Sequence, residues 1–166
     1  MYYRVNSNTD TDFFHRIPDA IAMIKGSEEY QSIKGTVKLY QTPKGVMIVT
    51  EVSGLPTAAE KCEGGIFAFH IHNGVICKGN VEDPFADVGA HYNPGGCPHP
   101  YHAGDMPPLF SANGVAFMAF LSNRFTVSEV IGKTVIIHDG PDDFMTQPSG
   151  NSGNKIACGE IGLVRR

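Results

Sequence analysis

Along this chain, hydrophobic and polar positions alternate in short runs, and glycine and proline separate the runs. Val37 and Leu39 alternate with Thr36, Lys38 and Tyr40, the period-two signature of a half-buried strand. Residues 45–52 form a second, β-branched run that stops at Gly54-Leu55-Pro56, and residues 65–72, Gly-Ile-Phe-Ala-Phe-His-Ile-His, form a third. Strand patterns resume at 114–121, 125–129 and 134–138, and Lys155–Val164 closes the chain. Residues 20–25 fit a short helix or a strand by pattern alone. Residues 73–113 lack periodicity and hold six glycines and six prolines. A loop this long inside a compact domain, with three histidines and several aromatics, is expected to be functional. A second loop, rich in Gly, Ser and Asp, spans 139–154. Short strands without intervening helices predict an all-β fold, an antiparallel sandwich or barrel. The expected organisation is a polar arm over 1–17 and one domain over 18–166.

Composition narrows the function classes. A net charge of −4 over 166 residues offers nucleic acid or anionic lipid no general attraction. No run approaches the ~20 apolar residues of a membrane span. The opening MYYRVNSNTDTDFF has no apolar core of a signal peptide, so the expectation is a cytoplasmic protein, with an exported mature chain as the alternative. The four cysteines, Cys62, Cys77, Cys97 and Cys158, allow three full pairings, and no CxxC pair points to a cysteine-based zinc site.

The histidines carry the chemistry. Six of seven fall between 70 and 138: His70, His72, His91, His99, His102 and His138. His70 and His72 are two apart on a predicted strand and share a face, while Phe67, Phe69 and Ile71 occupy the other. One strand thus supplies two imidazoles about 7 Å apart along the chain, a spacing that one metal ion bridges. In His102-Ala-Gly-Asp105, two small residues let the chain turn so that both side chains reach one ion. Imidazole with carboxylate suits zinc; several imidazoles suit copper or zinc. His138 ends another strand, and Asp142 and Asp143 follow, where a carboxylate can orient ligand imidazoles by accepting their second N–H. His15, alone in the polar arm, is read as an ordinary surface residue.

At these residues the chain resembles the copper–zinc superoxide dismutases. The matching motifs are Phe69-His70-Ile71-His72, Gly89-Ala90-His91-Tyr92-Asn93-Pro94, His102-Ala103-Gly104-Asp105, Val135-Ile136-Ile137-His138, Asp142-Asp143, and Gly150-Asn151-Ser152-Gly153 running into Ala157-Cys158-Gly159. Their order matches too, and the resemblance covers roughly residues 20–164. It implies a Greek-key β-barrel of about eight strands, with 20–25 as a strand. It implies copper held by His70, His72, His91 and His138, and zinc held by His91, His99, His102 and Asp105, with His91 bridging the two ions and carrying a catalytic proton. It also implies Asp142 as the carboxylate linking a copper histidine to a zinc histidine, and a Cys77–Cys158 disulfide. The implied reaction converts superoxide to dioxygen and hydrogen peroxide. Lys155 stands where the family places an arginine, and there it is expected to guide the anionic substrate. Cys62 and Cys97 form an additional pair, read either as thiols or as a second disulfide. The alternative function is a non-catalytic copper- or zinc-binding β-domain. Strand alternation isolates no apolar face that decides between a monomer and a homodimer.

Overall fold

Alternation becomes pleat in the computed structural model, which describes residues 16–57 and 64–165. Three strands meander first: β1 (Ala20–Gly26), β2 (Lys34–Thr42) and β3 (Gly45–Ser53). The ambiguous segment 20–25 is a strand because its burial has period two: Ala20, Ala22 and Ile24 are buried while Met23 and Lys25 are exposed. Ala20 lies opposite Leu39 and Ala22 opposite Val37, so apolar faces match across the pair.

The remaining strands are β4 (Ile66–Phe67), β5 (Phe69–His72), β6 (Leu109–Ala112), β7 (Val115–Ser122), β8 (Thr134–His138) and β9 (Lys155–Leu163). All nine form one antiparallel sheet in the order β4-β6-β7-β3-β2-β1-β9-β8-β5. The two edge strands are consecutive in the chain and only Ala68 separates them, so the sheet curls into a nearly closed barrel. The run 65–72, expected as one strand, changes partners at this point. Ile66 and Phe67 pair with Phe110 and Leu109, whereas Phe69 through His72 pair with Ile137 back to Thr134. Ala68 seals the corner: its amide donates to the Gly140 carbonyl at 2.7 Å and its carbonyl accepts from His138 at 3.0 Å. Among the described residues the count is therefore nine, with the third predicted strand divided in two. The connections from β3 to β4 and from β7 to β8 cross between non-neighbouring strands, as in a Greek key.

Two further readings change. Residues 125–129 do not form a strand. Val127–Val130 is a single helical turn (α1), started by a capping box in which Thr126 and Glu129 bond each other's backbone amides. The long loop also ends earlier than 113, because 109–112 is strand β6.

Ile24, Leu39, Ile48, Phe69, Ile71, Leu109, Ile137, Ile156 and Ile161 fill the barrel interior with almost no exposure. Each such side chain stabilises the fold by roughly 1.5–3 kcal/mol. A smaller cluster of Phe85, Val88, Ile136 and Cys158, with Cys77 against it, lies outside the barrel wall. It fastens the first half of the 73–108 loop onto β8 and β9. Among the described residues no helix is long and apolar enough to cross a membrane.

Candidate metal centre

The site is assembled on the outside of the barrel by the β5–β8 pair and closed by the two loops. With Phe69 and Ile71 in the core, β5 turns His70 and His72 outward. β8 delivers His138 at its end, where a register irregularity between Ile137 and His138 re-aims the chain. The 73–108 loop returns over β5 and adds short antiparallel bridges, His72 with His91 and His70 with Asp105. Its backbone is tied down by Tyr92 N–H donating to the Ile71 carbonyl (2.7 Å) and by Ile71 N–H donating to the Gly104 carbonyl (2.9 Å). Gly104 must be glycine, because a Cβ there would lie 2.3 Å from the Ile71 carbonyl oxygen. The small residues between His102 and Asp105 thus serve close approach as well as turning.

Two groups of ligand-type side chains result. His70, His72, His91 and His138 form one; His91, His99, His102 and Asp105 form the other. Within each group the donor atoms lie within 4.8 Å of one another, and His91 belongs to both. All seven residues are at most 9 % exposed.

Each imidazole of the first group except His91 has one nitrogen fixed by an acceptor outside both groups. His70 Nε2–H donates to Asp142 Oδ2 (2.8 Å), His72 Nδ1–H to the Gly89 carbonyl (2.7 Å), and His138 Nδ1–H to the Gly153 carbonyl (3.3 Å). The opposite nitrogens, His70 Nδ1, His72 Nε2 and His138 Nε2, are buried without a hydrogen-bond partner, as is His91 Nε2. A buried polar atom left unpaired costs about 1–3 kcal/mol. Four of them converging on one place fit a soft or borderline cation bound by neutral imidazoles, as copper is. The electrostatics agree. Burial pushes the imidazoles of His70 and His72 below their ordinary range, His72 well below it. Burial, reinforced by the neighbouring His70, takes His138 down to about 3. These rings stay neutral at physiological pH, with lone pairs available to a cation.

The second group is held by its carboxylate. Asp105 Oδ1 lies 2.7 Å from His91 Nδ1 and 3.3 Å from His102 Nδ1, and Oδ2 lies 3.1 Å from His99 Nδ1. The His99 contact is close but lacks hydrogen-bond geometry, and that nitrogen counts among the unpaired buried atoms. Burial raises the Asp105 carboxyl, but the hydrogen bond from His91 and the electrostatic attraction of the neighbouring His91, His102 and His99 rings outweigh it and leave it lowered. Three imidazoles and one carboxylate are a fitting donor set for zinc.

Asp142 joins the two groups. Its Oδ1 accepts from His99 Nε2 at 2.9 Å while Oδ2 accepts from His70. Burial works to raise its carboxyl. Hydrogen bonds from His70, the Phe144 amide and His99 outweigh that and bring it down to about 2. Gly150 makes room, since a Cβ there would fall 1.9 Å from Asp142 Oδ1.

Cys77 and Cys158 are disulfide-bonded across a sequence separation of 81. Cys97 is an exposed free thiol; Cys62 and His15 lie outside the described residues. Lys155 stands opposite His138 in the β8–β9 register, and its ammonium is paired with Asp83. Sequence reading had not singled out Arg124 and Gln147, whose side chains bind the backbone of the 99–105 segment. No periodicity or motif marks either one.

The family model described as copper/zinc superoxide dismutase matches residues 33–161. The chain is similar to "Superoxide dismutase [Cu-Zn] 2" of Aquifex aeolicus, 34 % identical over 142 residues, which covers 76 % of this chain and 78 % of that one. It is 34 % identical over 141 residues to the [Cu-Zn] superoxide dismutase of Photobacterium leiognathi, covering 76 % and 78 % of the two chains. With that of Deinococcus radiodurans it shares 30 % identity over 145 residues, 76 % of each chain.

Proposed function

The chain belongs to the copper/zinc superoxide dismutase family, oxidoreductases with copper and zinc as cofactors, and from that premise we propose that it dismutates superoxide at the paired site on β5 and β8. In this reading His70, His72, His91 and His138 hold copper, and His91, His99, His102 and Asp105 hold zinc. When bound, copper supplies the one-electron redox chemistry, and zinc, which has none, supplies fixed charge. The chain's own residues do the rest. Asp142 keeps His70 and His99 in one tautomer and orientation. His91 is the ring common to both groups, and its Nε2 is the atom at which a proton would be held and passed to the departing product. Lys155 contributes positive charge toward the anionic substrate. The observation that carries the reading is the set of four buried, unpartnered ring nitrogens at His70, His72, His91 and His138.

The deciding experiment measures copper content, zinc content and superoxide dismutation rate on one sample and its variants. His138→Ala should lose copper and activity but keep zinc. His102→Ala should lose zinc and keep copper, and His91→Ala should disturb both. Full copper and activity in His138→Ala would remove the assignment. Stoichiometric copper without turnover would favour the non-catalytic metal-binding domain.

The proposal also includes the division into an arm over 1–17 and a barrel domain over 18–166, supported by the first strand beginning at Ala20. A homodimer is supported by an exposed apolar row on β7, Val115, Phe117 and Leu121, beside Phe110 of β6; a single monomer-mass species in sedimentation velocity would exclude it. The compartment bears on the disulfide. In the cytoplasm the Cys77–Cys158 bond must resist the glutathione pool, whereas an oxidising compartment maintains it. Fractionation of source cells distinguishes the two.

A further inference from the structure

The segment 99–105 carries three of the four residues of the second ligand group, yet it has little regular structure of its own. Pro98 and Pro100 remove two amide donors. Among the described residues the carbonyls of His99, Pro100 and Asp105 receive no backbone hydrogen bond. Two side chains from elsewhere take over. Arg124, in the turn after β7, places Nη1 3.0 Å from the Pro100 carbonyl oxygen, 3.2 Å from that of His102 and 3.1 Å from that of Asp105. One guanidinium nitrogen is thus the hub of three carbonyls, two of them on ligand residues. Gln147, in the loop after β8, grips His99 both ways: its Oε1 accepts from the His99 amide (3.0 Å) and its Nε2 donates to the His99 carbonyl (2.7 Å). That is the pair of hydrogen bonds a strand neighbour would make, supplied by a side chain.

We propose that Arg124 and Gln147 are positioning residues which preform the His91–His99–His102–Asp105 group by clamping the backbone of residues 99–105 from two sides. The proposal rests on the reading of this group as the zinc site. The physical argument is preorganisation. A ligand on an irregular loop loses conformational freedom when it binds metal, and a loop fixed beforehand has less to lose. Arginine suits the hub because its rigid planar head carries several donors, and a lysine ammonium would have to reach the same point on a flexible stem. Glutamine suits the His99 clamp because it both donates and accepts; an ionised glutamate of the same shape only accepts.

The test compares Arg124→Ala, Arg124→Lys and Gln147→Glu with the parent protein. Zinc affinity is read by chelator competition, and the geometry of the group by the visible spectrum of cobalt(II) bound in place of zinc. Copper affinity is the control for the other group. Arg124→Ala and Gln147→Glu should each lower zinc affinity by about ten- to a hundredfold and weaken the tetrahedral cobalt bands, while copper affinity stays within about threefold; Arg124→Lys should recover part of the loss. Zinc affinity within about twofold of the parent in both variants would overturn the proposal. So would equal losses of zinc and copper, which mark a general folding defect. If Arg124→Ala fails to fold, Gln147→Glu and Arg124→Lys decide on the same criteria. A parent that binds no zinc, or a His102→Ala protein that binds it as well as the parent, overturns the reading of the group itself, and that outcome is distinct from a failure of the clamps.

Discussion

Lys155 gives its ammonium to the carboxylate of Asp83, a residue 72 positions earlier in the chain. The cation beside His138 is therefore half of an ion pair, and an adjacent opposite charge cancels most of its field at a distance. Asp83 is itself anchored, with Oδ1 accepting from the Phe85 amide at 3.0 Å. If Lys155 guides superoxide, Asp83 limits how strongly it does so. Asp83→Asn should raise kcat/KM at low ionic strength and steepen its decline with added salt, whereas Lys155→Ala should lower kcat/KM with both metals retained. Steady-state rates across a salt series check this, and unchanged rates in both variants would leave Lys155 no guiding role.

Asp142 lies outside both ligand groups and joins them, accepting from His70 of one and His99 of the other. Asp142→Ala should cost about ten- to a hundredfold in the affinity of at least one metal, because His70 and His99 lose the acceptor that fixes their tautomers. Gly150→Ala should reproduce much of this effect without removing a polar group, since its added methyl would collide with Asp142 Oδ1 and His99 Nε2. Parent-like metal affinities in Gly150→Ala would show that Asp142 has another position from which to act.

The Cys77–Cys158 bond closes a long loop that contains five of the seven ligand-type residues, His91, His99, His102, Asp105 and His138. Replacing both cysteines by serine should lower unfolding stability by about 2–4 kcal/mol, chiefly through the freer unfolded chain. Denaturant titration under non-reducing conditions measures it, and an unchanged midpoint would refute it.

Acid should unfold the metal-free protein earlier than carboxylate titration alone would allow. Burial holds His70, His72 and His138 below the ordinary 6.5, His138 at about 3. As pH falls through 6.5 the unfolded chain takes up protons that the folded chain refuses, so unfolding becomes more favourable. Stability should be level above about pH 7.5 and fall from about pH 6.5 toward 3, each such histidine adding a slope of at most about 1.4 kcal/mol per pH unit. Asp142, lowered from 3.8 to about 2, adds its own loss at lower pH, beginning as pH falls through the ordinary carboxylate value and complete once it is below about 2. Urea midpoints of the metal-free protein between pH 8 and 4 test this; a flat profile from pH 7 to 5 would mean that the histidines are not held neutral.

The period-two signal, the same-face placement of His70 and His72, and the ordered ligand motifs were all legible because they depend on short spacings. Other features were legible and passed over. Thr126-x-x-Glu129 is a capping-box pattern, which the β-branched residues around it obscured. Asn113-Gly114, both at positive φ (51° and 78°), is the turn joining β6 to β7, and it marks a hairpin that extends back into the supposed loop. A third set had no local sign at all. The pairing of Lys155 with Asp83, the clamps of Arg124 and Gln147, and the partner change at Ala68 join residues far apart in sequence, and no periodicity encodes such contacts.

The seam at Ala68 ties correct folding to correct chemistry. A slip of one residue in the 66–72 run would send His70 and His72 into the barrel and turn Phe69 and Ile71 out to the loop side. The same slip would misalign β4 with β6 and β5 with β8, so the barrel would not close. An out-of-register chain therefore cannot persist as a well-formed shell with a damaged site, nor as an intact site in a loose shell. Quality control of the scaffold and of the metal centre is a single test, passed or failed by the same seven residues.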